Sequence, residues 1–231
     1  MSYTYDYPRP ALTVDGVIFG LDVKGRMKVL LIKRLKGPFK DCWALPGGFV
    51  DMEDEDTDAA VARELEEETD TKNLYLEQLY TFSKKGRDPR ERVVSVAYYG
   101  LVRPDALKPK AGDDAKEVKW WPIKRLPKLA FDHRDIVKMG RERIKGKVRY
   151  QPIGFELLPE LFTLRSLQGL YEAILGRDLD KRNFRKKILA TDIITPTEEF
   201  EGGVKHRPAR LYRFDQKEYD RKVKAGFNFE I

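Results

Sequence analysis

The strongest constraint in this sequence is three glutamates at helical spacing behind a glycine pair. The stretch Leu45–Thr71 reads LPGGFVDMEDEDTDAAVARELEEETDT. Its second half predicts a helix over about Thr57–Thr69, capped by Thr57 or Asp56 and propagated by Ala59, Ala60, Val61, Ala62 and Leu65. Glu64, Glu67 and Glu68 fall at i, i+3 and i+4, so the fold must accept three carboxylates on one helix face. Each like-charged pair costs an isolated helix roughly 0.2–0.5 kcal/mol. Something cationic therefore belongs on that face. Arg63 neutralises part of the charge, and a hard divalent cation, Mg²⁺ or Mn²⁺, suits the oxygens that remain. Pro46-Gly47-Gly48 allows backbone to approach the helix closely, so that a carbonyl can join the donor set. The competing reading of the glutamates alone is a solvated acidic helix.

Taken with its loop, the pattern resembles the Nudix box. The resemblance implies that Glu64, Glu67 and Glu68 are metal ligands and form the catalytic set with Arg63, which orients the carboxylates. It also implies that the Gly48 carbonyl is a further ligand. Two departures stand out. Six residues separate Gly48 from Glu55 where the family has five, and Asp70 ends the helix where the family has glycine. Asp tolerates the left-handed conformation better than most residues.

Strand-rich runs flank this helix: Ala11–Gly20, Met27–Lys33, Leu74–Phe82, Val93–Val102 and Glu117–Pro122, with a hairpin signal at Lys24-Gly25. Asp135–Lys145 is a helix candidate with a basic face. Strands on both sides of the glutamate helix predict an α/β sandwich of the Nudix kind over residues 1–150. Arg87, Arg90 and Arg92 lie close together in the segment before Val93, where they either grip a diphosphate through paired N–H groups or form an exposed polar hairpin. The run from Asp88 through Tyr98, and Leu129–His133, resemble the Nudix branch that handles ADP-ribose and related sugar nucleotides. His133 by itself is more often structural than catalytic.

The pattern changes after about Tyr150, and Gln151–Gly154 is a natural boundary. Glu156–Phe162 is apolar and reads as helical. Leu164, Leu167, Leu170, Tyr171 and Ile174 recur at helical spacing up to Gly176. Asp180 caps a second helix, Lys181–Ala190, with Phe184, Ile188 and Leu189 inside and Lys181, Arg182, Arg185 and Lys186 outside. Two short strands around Gly202-Gly203 follow, the second rich in basic groups including Arg207 and Arg210. A basic helix across a tight turn, with a basic wing, is the footprint of a double-stranded DNA reader. Lys181 and Arg182 are placed to reach bases; Arg185, Lys186, Arg207 and Arg210 suit phosphates. A small helical domain with a solvated basic face is the plainer alternative.

The phrases Gln151–Phe155, Phe162–Leu164, Leu170–Ile174 and Asp180–Arg185 resemble the Nudix-related transcriptional regulators, so the likeness spans nearly the whole chain. It implies a Nudix α/β/α sandwich followed by a winged helix-turn-helix over 151–231. It also implies a homodimer on a palindromic operator, acting as a repressor of NAD-metabolism or sugar-use genes and released by ADP-ribose or another metabolite. The alternative is a Mg²⁺-dependent ADP-ribose or sugar-nucleotide pyrophosphatase with an accessory C-terminal domain.

The rest of the composition agrees. A net charge of +7 over 231 residues favours an anionic partner. The single cysteine, Cys42, is read as a packing residue and fits a reducing cytoplasm. No apolar run is long enough for a membrane span, and the first residues lack a signal-peptide pattern.

Overall fold

A computed structural model describes residues 6–22, 25–71, 74–104, 109–110, 115–203 and 207–226. The chain divides into two compact units, one of Met1–Gly20 with Lys28–Gly140 and one of Leu21–Met27 with Arg141–Ile231.

The first unit is built on a six-stranded mixed sheet. Its strands are β1 (Ala11–Leu21), β2 (Met27–Arg34), β3 (Trp43–Ala44), β4 (Leu76–Phe82), β5 (Val93–Leu101) and β6 (Ala115–Pro122). The order is β3-β2-β1-β5-β4, with β6 also paired to β2. β1 runs parallel to β5, Ala11 opposite Val93 through Phe19 opposite Leu101. Thr13–Gly20 are all buried, as a strand covered on both faces requires. Side chains alternate along β1, so Gly16 and Phe19 face opposite ways. Helix α1 (Thr57–Thr69) covers the Gly16 face, where a Cβ on Gly16 would lie 3.3 Å from Leu65. Val14, Ile18, Leu30, Ala60, Val61, Leu65 and Tyr98 make the core there. The first half of helix α2 (His133–Lys147), up to Gly140, lies on the other face, with Gly140 against Phe19.

Asp56 caps α1 by accepting the Ala59 N–H, and Asp70 ends it at φ 54°, the left-handed turn expected of it. Met27–Arg34 and Val93–Leu101 match their predicted runs to within a residue. Of the Lys24-Gly25 turn, Lys24 lies outside the described residues; Gly25 has φ 70°.

The second unit holds β7 (Leu161–Phe162), α3 (Leu164–Leu175), α4 (Lys181–Leu189), β8 (Ile194–Phe200), β9 (Arg210–Phe214) and α5 (Gln216–Lys224). The small sheet has the order β7-β9-β8, antiparallel throughout. Leu167, Leu170, Tyr171, Ile174, Phe184 and Ile188 are buried and hold α3 and α4 together. A helix pair followed by two antiparallel strands, with an earlier short strand closing the sheet, is a winged helix.

Two sequence readings are corrected here. Glu156–Phe162 is not a helix: it is a 3-10 turn at Phe155–Leu157 followed by strand β7. Pro159 explains this, because it restricts Leu158 to extended backbone, and Leu158 has ψ 155°. Leu189 is not on the inner face of α4 but 41% exposed, at the helix's last position.

Candidate ligand cavity and nucleic-acid interface

The cavity of the first unit measures about 400 Å³. Its wall includes Asp15, Gly47, Gly48, Arg63, Glu64, Glu67 and Glu68, together with Arg87, Arg90 and His133. The Pro-Gly-Gly turn is welded to β1: Val14 N–H donates to the Gly48 carbonyl (2.9 Å) and Gly16 N–H to the Pro46 carbonyl (2.8 Å). Gly47 is required by backbone, and Gly48 leaves the space that the Glu64 carboxylate fills. A Cβ on Gly47, which has φ 146°, would lie 2.1 Å from the Val14 oxygen. On Gly48 it would lie 2.4 Å from Glu64 Oε1. The turn thus forms a cradle for the first glutamate. Gly47 N–H donates to Glu68 Oε2 at 2.8 Å, holding the third.

Arg63 organises the acidic end. It grips Asp54 with both ends of its fork (2.9 and 2.8 Å), donates to Glu64 Oε1 (2.9 Å) and Glu67 Oε2 (3.3 Å), and caps the Phe49 carbonyl (3.0 Å). The Arg63 hydrogen bonds pull the Asp54 carboxyl down to about 2. Burial pushes the Glu64 carboxyl above its usual range despite Arg63. Asp54 is a residue that sequence reasoning missed. With five residues between it and Gly48, Asp54 takes the place expected of Glu55 once the extra loop residue is discounted, and the cradle is not displaced. Counting from Gly48 instead of from the helix would have found it.

The donor chemistry suits a hard divalent cation, since it is all oxygen, clustered on one helix face and backed by a glycine cradle. Among the described residues, no three acidic or imidazole side chains already converge as a metal-binding group. Glu64 and Glu67 are turned to Arg63 instead, and a cation would compete with Arg63 for Glu67, whose side chain is 58% exposed.

Of the three predicted phosphate-gripping arginines, two line the cavity. Arg87 is an internal strut: its side chain is 4% exposed, doubly bonded to Asp132 (3.0 and 2.7 Å) and 3.3 Å from Asp15. Arg90 is clamped by Asp88 through Nε (3.1 Å) and Nη2 (2.7 Å). Arg92 is exposed and is not part of the cavity wall. His133, at the cavity wall, is held by the backbone of the glycine turn's approach. Its Nδ1 accepts the Leu45 N–H (2.8 Å), leaving Nε2 toward Asp15 (3.3 Å), and burial pushes its pKa down.

In the second unit, α4 carries Lys181, Arg182 and Lys186 exposed and Arg185 half-buried, with no acidic residue along its length. Glu172 locks the turn before it. Its Oε1 accepts from the Leu179 N–H (3.0 Å) and from Gln168 Nε2 (2.9 Å), which also reaches the Leu179 carbonyl (3.0 Å). Arg207 and Arg210 are exposed on the wing; Arg210 lies 3.9 Å from Glu198. Lys205 and His206 of the wing lie outside the described residues.

Two family models match, the NUDIX domain over residues 10–139 and the NrtR DNA-binding winged helix domain over 154–214. The chain is 39% identical over 227 residues, 97% of its length and 87% of the relative's, to the ADPR responsive transcriptional repressor NtrR of Acinetobacter baylyi. The chain belongs to the NrtR family of Nudix-related transcriptional regulators. In fold it is similar to Shewanella oneidensis NrtR complexed with a 27mer DNA, at TM-score 0.79 and 35% identity over 94% of this chain and 97% of that one. Its Nudix part is also 46% identical over 132 residues to an ADP-ribose pyrophosphatase of Methanocaldococcus jannaschii, covering 57% of this chain and 73% of the relative.

Proposed function

We propose that this NrtR-family protein is an ADP-ribose-responsive transcriptional repressor. Its first part, up to about residue 150, takes the metabolite, and its second binds operator DNA. One observation carries the reading: a glycine-cradled acidic cavity and a winged helix with an unopposed basic helix occur in one chain. Full-length similarity to a repressor of this response supports it. Lys181 and Arg182 read bases; Arg185, Lys186, Arg207 and Arg210 hold phosphates. The protein acts in the cytoplasm on NAD-metabolism or sugar-use genes, as a homodimer, since a helix-turn-helix commonly reads two half-sites through two-fold symmetry. A gel shift on the upstream region of its own gene neighbourhood tests this. The complex forms without ADP-ribose and dissolves with it; no shift, or a shift indifferent to ADP-ribose, refutes the reading. Light scattering at micromolar concentration returns twice the chain mass.

A second reading has its own support in the complete set Arg63, Glu64, Glu67 and Glu68 and in the pyrophosphatase relative. Mg²⁺ or Mn²⁺, when bound at Glu64, Glu67, Glu68 and the Gly48 carbonyl, supplies a water activated for attack on phosphorus and neutralises phosphate charge. Arg63 keeps the carboxylates in register. Slow metal-dependent hydrolysis of ADP-ribose is then expected of the parent, and none of Glu67→Gln or Glu68→Gln. A parent with no turnover on ADP-ribose or on a panel of nucleotide sugars leaves the cavity a binding site only.

A further inference from the structure

Two arginines border the cavity beside aromatic rings, and the two pairs differ. Arg34 lies 5.1 Å from the centre of Phe131, but that ring is already flanked by Phe39 (4.8 Å) and His133 (5.2 Å). Phe49 is 37% exposed, and the Arg90 guanidinium lies 5.1 Å from the centre of its ring. Its backbone is nonetheless fixed. It bridges to Thr13 of β1, and its carbonyl accepts from Arg63. An exposed ring on a held backbone loses little freedom when it is covered.

Arg90 is held as firmly. Asp88, itself buried, takes the Arg90 backbone N–H (2.9 Å) as well as Nε and Nη2. A diphosphate grip needs the guanidinium edge. Here Asp88 takes the Nε–Nη2 edge and compensates the charge, leaving a phosphate only the Nη1 end of the fork. The face remains, and a guanidinium face stacks on flat π-systems.

We infer that Phe49 and Arg90 form the subsite for the flat heteroaromatic base of the ligand. The inference rests on the reading that the cavity takes a nucleotide, and it assigns Arg90 to the base and not to the diphosphate. Phe49 directly follows Gly48, the cradle of Glu64, so base and diphosphate lie within the reach of one ligand. The platform makes the cavity selective for nucleotides over sugar phosphates.

Calorimetry with ADP-ribose and ribose 5-phosphate tests it on the full chain. The parent binds ADP-ribose the more tightly. Phe49→Ala weakens ADP-ribose roughly ten- to hundredfold, the range of a lost base–aromatic stack. It leaves ribose 5-phosphate unchanged, and Phe49→Trp restores ADP-ribose. Arg90→Lys keeps a cation against Asp88 but removes the plane, so it weakens ADP-ribose alone. Thermal melting of each variant shows that it is folded. ADP-ribose affinity unchanged in folded Phe49→Ala overturns the platform and leaves the repressor reading standing. Equal losses on both ligands in Arg90→Lys return Arg90 to the phosphates and overturn the assignment. A parent that binds neither ligand sinks both readings.

Discussion

The two units treat charge in opposite ways. In the first, three arginines of the cavity wall are tied to named carboxylates: Arg63 to Asp54, Glu64 and Glu67, Arg87 to Asp132 and Asp15, Arg90 to Asp88. In the second, Lys181, Arg182, Arg185 and Lys186 crowd one short helix without an acidic side chain among them. Neighbouring α5 shows that the second unit can also neutralise itself, since Arg221 and Lys222 pair with Glu218. Among the described residues the cations of α4 have no acidic partner, and this is a property of that helix and not of a basic chain. Paired charge fixes shape; uncompensated charge waits for an external polyanion.

The most severe way to break the contrast is to remove the uncompensated set. Alanine at Lys181, Arg182, Arg185 and Lys186 together is expected to abolish the operator shift and leave ADP-ribose binding intact. Alanine at Arg185 or Lys186 singly should reduce the salt slope of binding by about one unit per subunit, the effect of one phosphate neutralised less. A fourfold variant that binds operator with unchanged salt dependence means that α4 does not face DNA.

Stability should respond in the reverse order. Arg87→Ala leaves Asp132 and Asp15 without their buried cation and is expected to cost about 3–5 kcal/mol in urea unfolding. Arg182→Ala, at an exposed site, should stay within about 0.5 kcal/mol. Similar values for the two would mean that Arg87 is not a strut. Glu172→Ala lies between. It frees the Leu179 N–H and Gln168 and is expected to cost about 1–2 kcal/mol, with weaker operator binding because the turn that aims α4 loosens.

How much of this could be read from sequence depends on distance along the chain. Helix α1, its caps and its glutamate face follow from residues within a turn of one another. So do α3, α4 and the turn residue Gly176, which has φ 72°. What stayed hidden was pairing across long separations. Arg87 meets Asp132, 45 residues on, and Asp15, 72 residues back. Nothing local marks an arginine as buried, so three clustered arginines read as a phosphate grip or an exposed hairpin when two of them have internal partners. The Arg63–Asp54 pair was hidden for a smaller reason, since a single extra loop residue moved the partner by one. The short strand β7 was masked by the apolar run around it, although Pro159 was present to argue against a helix.

A pH dependence of modest size is also expected, and it falls entirely within the first unit. His133 is 4% exposed and neutral, its Nδ1 already accepting the Leu45 N–H. Burial lowers its pKa most; Asp15 and Asp132 oppose that shift, and Arg87 and Arg34 add to it. In the unfolded chain the imidazole takes a proton near its ordinary 6.5. Below that pH the unfolded state therefore binds more protons than the folded one, and stability falls as pH drops. Above it the full stability is present. The limiting slope is about 1.4 kcal/mol per pH unit for one group. Asp54 does not interfere. Its carboxyl is held at about 2, against an ordinary 3.8, so its contribution is lost only at still lower pH. His133→Asn keeps an acceptor for Leu45 and removes the titration. Unfolding free energies from urea titrations at pH 7.5 and 5.5 should separate in the parent by about 1 kcal/mol more than in this variant. Equal separations would mean that His133 gains its proton in the folded state as readily as in the unfolded one, and that its bond from Leu45 does not hold the imidazole neutral.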